Sequence, residues 1–299
     1  MNYCSPVSQH LYATNKSCFD RATLVRIVEA YNRKYVLNPI DTAELKGKQV
    51  PFILNKLRVA MEGVCDNNEG ELCWISHLGL DYDTQINNSV RPKTPHQWIE
   101  NPTTWLDNFN IEAVLIQYQY HYRHMYKFLG VLPSDFLSRP TISNDLCYYK
   151  DICTIEIAKL LRQNIKCIGM VINLDKHDEN GSHWTSMFAC IDPVMSSFGA
   201  YYYDSTTRPP PQDMFVFMEN LKTQAMPLQI GKNAFKIETN KVRHQYSRTE
   251  CGMFAVYNQI RWLEELSKER PKSFQKLCNE KKITDDNMIK LRKKLFRPI

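Results

Sequence analysis

The sequence predicts an α+β protein with a mostly helical N-terminal arm domain, residues 1–97, ahead of a core domain, residues 98–299. Three observations point there. Before residue 95 the apolar residues recur at helical spacing. Beyond residue 165 the texture changes to short β-branched or aromatic runs separated by turn residues. Behind those runs come two helical patterns, one apolar-faced and one strongly charged.

In chain order, "CFDRATLVRIVEAYNRKY" places Phe19, Leu24, Ile27, Val28 and Tyr31 on one helical face, and "VPFILNKLRVAMEGV" repeats the pattern. "NNSVRPKTPHQW", residues 87–98, carries two prolines among polar residues and suits a junction between domains. In "TTWLDNFNIEAVLIQYQYHYRHMYKFL", Asp107 or Asn108 caps a long helix predicted to end near Gly130. "KCIGMVINL", "HWTSMFACID", "FGAYYYDST" and "AFKIETNKV" read as strands. "CGMFAVYNQIRWLEELSKE" is then a helix, and "TDDNMIKLRKKLF" another, capped by Thr284 with acidic residues in its first turn.

Composition removes several classes. With 299 residues, 43% hydrophobic and 23% charged, the chain suits a soluble globular protein with a real core. No apolar run approaches the roughly 20 residues that span a bilayer, so membrane insertion is not expected. The opening residues lack the pattern of a secretory signal. The ten cysteines are scattered without a CxxC pair, which argues against a zinc ribbon or a thioredoxin motif, and most read as reduced, buried thiols. Residues 264–299 hold 11 Lys/Arg against 6 Asp/Glu. Such a run usually forms the solvated face of a helix, with a weak DNA contact as the alternative.

One cysteine departs from the buried pattern. In "HQYSRTECGMFAVYNQIRWL", Cys251 stands where a polar run meets a helix. Unpaired N–H groups and the macrodipole at a helix start favour a thiolate, and Gly252 would allow a substrate close to the sulfur. A nucleophile needs a base, and the base an orienting group. Of the eight histidines, His10, His77, His121, His124 and His177 read as surface or packing residues. His183 opens a strand, and Asp204 closes the next one 21 residues later, so two antiparallel neighbours bring them together. Gln245 with the Cys251 N–H supplies an oxyanion site. His244 is a rival base, but strand neighbours point to opposite faces, so His244 and Gln245 cannot line the same site.

The order His183-Trp184, Asp204, Gln245-x5-Cys251-Gly252 resembles the Ulp/SENP and adenoviral cysteine proteases, whereas papain-like enzymes place Cys before His. "WLDNFNI", residues 105–111, is similar to the first helix of the Ulp core. "VRHQYSRTECG", "TNKSC", "NFNIE" and "ITDDNMIKLRKKLFR" resemble the polyprotein-processing proteases of large nucleocytoplasmic DNA viruses, African swine fever virus among them. Asp204 stands where an asparagine is expected in that branch; aspartate is the commoner choice among Ulp enzymes, and a carboxylate holds an imidazolium better than an amide.

The resemblance implies a mixed sheet flanked by helices and cleavage of virion core polyproteins after Gly-Gly, in the virion and in the viral factories of the host cytoplasm. It implies Trp105, Trp184 and Gly252 as substrate-binding residues, the two tryptophans roofing a groove too narrow for side chains, and no metal or organic cofactor. The alternatives are release of Gly-Gly-ending modifiers of the SUMO or ubiquitin type, acyl transfer from acyl-CoA, and an inactive binding module.

Overall fold

A computed structural model describes residues 3–65, 70–139, 147–231 and 233–298. The chain forms two compact units. One comprises the chain up to Thr94 together with the segment from Leu295 onward, and the other runs from Pro95 to Lys294.

The first unit is helical. Its largest helices are Arg21–Lys34 and Val50–Ala60, within the two stretches of helical spacing. The Asp20 side chain accepts the Thr23 N–H, and a proline occupies the first turn of the second helix. Leu24, Ile27, Val28 and Tyr31 are buried against Ile53, Leu54 and Leu57, as helical spacing requires. The chain end returns to this unit, where Thr94 N–H donates to the Arg297 carbonyl and Arg297 N–H to that of Pro92.

Disulfides correct the expectation of mostly reduced thiols. Cys4–Cys18, Cys65–Cys73 and Cys147–Cys153 are bonded, leaving Cys167, Cys190, Cys251 and Cys278 as free thiols. Each pair is local, spanning 14, 8 and 6 residues. No CxxC motif marks pairs at such separations.

The second unit is built on a five-stranded sheet of order β1-β2-β3-β4-β5: β1 (Tyr126–Leu132), β2 (Cys167–Asn173), β3 (Trp184–Cys190), β4 (Gly199–Tyr203) and β5 (Lys236–Thr239). β2, β3 and β4 pair antiparallel, while β1 and β5 join in parallel at the edges, so the sheet is mixed. β2 through β5 coincide with the four predicted strands. β1 was missed: the helix that begins at Asn108 stops at His121, and "YKFLGVL" is a strand rather than its last turns. Gly130, read as the helix terminator, has φ 110° and lies at the irregularity in register between Phe128 and Val131.

Helices cover both faces of this sheet. The helix Cys251–Leu266 packs on β3 and buries most of its residues, including Phe254, Trp262 and Leu263. Trp262 stacks on Phe188 of β3 at 5.3 Å and on Phe274 at 6.0 Å. Met214, Phe217, Met218 and Leu221 of the helix Gln212–Ala225 pack with Ile168, Met170, Ala200 and Tyr202 of the sheet. Among the described residues no helix is long and apolar enough to cross a membrane.

Candidate active site

Three elements deliver the candidate residues to one end of the sheet. His183 stands immediately before β3, and its carbonyl accepts the Leu174 N–H, extending the β2–β3 ladder by one step. Asp204 follows the last residue of β4, the antiparallel neighbour of β3. Cys251 is the first residue of the helix Cys251–Leu266.

His183 Nε2 lies 2.9 Å from Asp204 Oδ1. A carboxylate can only accept, so Nε2 carries the proton and Nδ1 is the ring nitrogen left over, with Cys251 near enough to favour the charged ring. Burial opposes a charge on His183 and is the largest single influence. It is outweighed by the hydrogen bonds and charges of Asp204 and Cys251, which raise the imidazole from 6.5 to about 9. That rise corresponds to about 3 kcal/mol in favour of the imidazolium. Burial likewise tends to raise the Asp204 carboxyl, but the His183 hydrogen bond and charge, helped by Thr206, hold it below the ordinary carboxylate range.

Asp204 is itself held from several sides. Its Oδ1 also accepts Thr206 N–H at 2.6 Å and Thr206 Oγ1 at 2.8 Å. Asn240 clamps its backbone, accepting the Asp204 N–H at 2.9 Å and donating to the Asp204 carbonyl at 2.7 Å. The next residue, Ser205, reaches Gln245: its hydroxyl donates to Gln245 Oε1 at 2.6 Å, and its carbonyl accepts the N–H groups of His244 and Gln245. One N–H of the Gln245 amide donates to the Ser247 carbonyl at 3.0 Å. No second hydrogen bond from this amide nitrogen is seen among the described residues. Ser247 in turn is fixed by Asp285, through its hydroxyl at 2.8 Å and its N–H at 3.0 Å.

His244 is not a rival base. Its Nδ1 meets Tyr203 Oη at 2.8 Å and its Nε2 the Cys278 carbonyl at 2.7 Å, inside the core. The segment carrying His244 and Gln245 is a loop, so backbone hydrogen bonds to Ser205, rather than strand alternation, turn the two side chains apart.

Both predicted tryptophans line one cavity, whose lining does not include Cys251, His183 or Gln245. The Trp184 indole donates to the Leu106 carbonyl at 2.8 Å, and the Trp105 indole to the Arg248 carbonyl at 2.9 Å. Gly252 is closely packed on its open side. A Cβ there would lie 3.0 Å from Leu106 Cβ and 3.3 Å from Trp184 Cδ1, so the missing side chain makes room for these two residues. A cavity of about 490 Å³ begins at Trp105 and Trp184 and extends past Tyr149 to Lys176, His177 and Glu179. His177, read as a surface or packing residue, lines this cavity, its Nδ1 2.6 Å from Asp135 Oδ2.

Sequence reasoning missed Ser205, Asn240, Ser247 and Asp285. Only Ser205 carried a visible signal, its place directly after the acid in "YYYDST".

The model of the Ulp1 protease family, C-terminal catalytic domain, matches residues 150–299. The chain is 26% identical over 288 residues to a protein of Acanthamoeba polyphaga mimivirus assigned as a thiol protease, covering 88% of this chain and 85% of the relative. It is 26% identical over 282 residues to the cysteine protease S273R of African swine fever virus, covering 88% and 97%. The crystal structure of the African swine fever virus pS273R protease has the same fold, with a TM-score of 0.62 at 20% identity across 100% of this chain and 96% of that one. A buried Cys-His-Asp constellation on this fold and the match of the family model lead to one conclusion: the chain belongs to the Ulp1 protease family and is a cysteine protease.

Proposed function

We propose that the chain is an endopeptidase that cuts viral core polyproteins after Gly-Gly during particle maturation, in the virion and the viral factories of the host cytoplasm. Every candidate residue lies in the second unit, which we take as the catalytic domain. His183 takes the proton of Cys251 through Nδ1, and the sulfur attacks the carbonyl of the glycine before the cut. The second N–H of the Gln245 amide and the Cys251 N–H receive the developing oxyanion. His183, held protonated by Asp204, then gives its proton to the leaving amine, and water hydrolyses the thioester with His183 again as base.

The observation that carries this reading is the narrowness around the sulfur. Cys251 is only 2% exposed, and Leu106 and Trp184 are packed to contact distance over the adjoining Gly252. An approach walled this closely favours residues without side chains, so specificity arises by exclusion.

A second reading has specific support. Relatives 26% identical over 246 residues, from further African swine fever virus isolates, are named SUMO-1 cysteine protease. Release of a Gly-Gly-ending modifier uses the same chemistry. A DNA contact through residues 264–299 has less support, because Lys268, Lys272, Lys282 and Arg292 are engaged with Glu265, Glu280 and Glu250.

The test is incubation with a polyprotein fragment containing Gly-Gly-X and, separately, with a modifier joined through Gly-Gly to a lysine. N-terminal sequencing of the products identifies the cut. Cleavage between Gly and X, absent in Cys251→Ala, is expected; release of the modifier alone favours the second reading, and a Cys251→Ala variant as active as the native chain overturns both.

A further inference from the structure

Beside the candidate nucleophile lies an ion pair sealed from solvent. Glu250 directly precedes Cys251 and is fully buried, and Arg292, from the helix Asp285–Leu295, is 3% exposed. Arg292 Nε donates to Glu250 Oε2 at 2.8 Å, while Thr249 Oγ1 donates to the other carboxylate oxygen at 3.2 Å. The two remaining arms of the same guanidinium donate to the Thr104 carbonyl at 2.7 Å and the Thr249 carbonyl at 3.3 Å. Its plane lies over Trp98, 4.4 Å from the ring centroid. One side chain therefore joins the segment leading into Trp105 to the loop that carries the nucleophile. The forked donors and flat face of arginine do this; a lysine ammonium has neither.

A buried ion pair adds little net stability relative to apolar residues of equal volume, so its consequence is sought at the site it borders. A carboxylate one residue from a sulfur that must become negative opposes that charge, strongly so away from water. A neighbouring guanidinium cancels the opposition. We propose that Arg292 is a positioning residue of the protease reaction: its charge neutralises Glu250 beside Cys251, and its forked donors fix the Trp105 wall to the nucleophile loop.

The proposal rests on Cys251 being the nucleophile. Four variants test it: Arg292→Gln, Arg292→Lys, the double variant Glu250→Gln/Arg292→Gln, and Cys251→Ala as a control on the reading itself. The readouts are the rate of Cys251 alkylation by iodoacetamide at one fixed pH, kcat and KM on a Gly-Gly-X peptide, and thermal melting. Arg292→Gln slows alkylation and kcat about tenfold or more, because it leaves the buried carboxylate that directly precedes Cys251 in the chain without its partner charge. Arg292→Lys keeps the alkylation rate but raises KM, since the wall loses its forked donors. The double variant recovers alkylation while KM stays raised; it leaves no buried charge unpaired, so it decides the matter if Arg292→Gln does not fold. A folded Arg292→Gln with native alkylation and KM, or a double variant that fails to recover alkylation, overturns the proposal. A Cys251→Ala variant that still cleaves overturns the underlying reading instead.

Discussion

His183 and Asp204 set how the site answers to pH. The imidazole is raised from 6.5 to about 9, so its proton persists through neutrality and is lost as pH rises through about 9. The stability contributed by the pair is therefore complete below 6.5 and disappears across that same interval. The depressed Asp204 carboxyl acts at the other end, its contribution lost only as pH falls below the ordinary carboxylate range. With His183 proposed to give its proton to the leaving amine, the alkaline limb of kcat/KM is expected near pH 9. Asp204→Asn keeps the shape and removes the charge. It is expected to move that limb down toward the ordinary histidine range and to lower kcat by at least about 10²-fold, read from pH–rate profiles. An unmoved limb in that variant contradicts the pairing. The four residues proposed to carry the chemistry were legible because their types, order and spacing are constrained by the reaction. Arg292 was not: it meets Thr104 across 188 residues of chain, and in sequence it is one more cation in a basic run.

At the scale of elements, the helix Cys251–Leu266 gives its glycine a packing role beside the expected one. The expected reason was substrate access to the sulfur. The structure places Leu106 Cβ and Trp184 Cδ1 against the position its side chain would take. Alanine in place of a helical glycine gains up to about 1 kcal/mol of helix propensity. Crowding a packed interior costs about 1–3 kcal/mol. These terms offset one another, so Gly252→Ala is expected to melt within a few degrees of the native chain while raising KM, because Leu106 and Trp184 must yield. Melting curves and steady-state kinetics check this, and an unchanged KM contradicts it. Strands β2 to β5 were legible from β-branched and aromatic runs between turn residues. β1 was not, because "YQYHYRHMYKFL" continues the aromatic texture of the preceding helix without a break. What makes it a strand is its partner: β1 lies parallel to β2, a tertiary pairing absent from local sequence.

For the whole molecule, sequence order carried the family, and the family carried the fold. The arm is helical as its periodicity requires, yet two of its features were invisible in sequence. Residues from Leu295 onward belong with it, though they lie at the opposite end of the chain. The disulfides Cys4–Cys18 and Cys65–Cys73 lie within it, where no spacing motif announced them. Both depend on which distant or local segments meet, which composition does not encode. The central claim concerns the second unit: Cys251 forms a covalent thioester with the glycine before the cut. Rapid acid quenching of the enzyme with a Gly-Gly-X polypeptide, followed by peptide mass spectrometry, measures it directly. The account predicts an adduct on Cys251 whose mass is that of the substrate segment ending in Gly-Gly, less one water, and absent in His183→Ala. Cleavage that proceeds with an adduct on another residue, or with Cys251 alkylated beforehand, contradicts it.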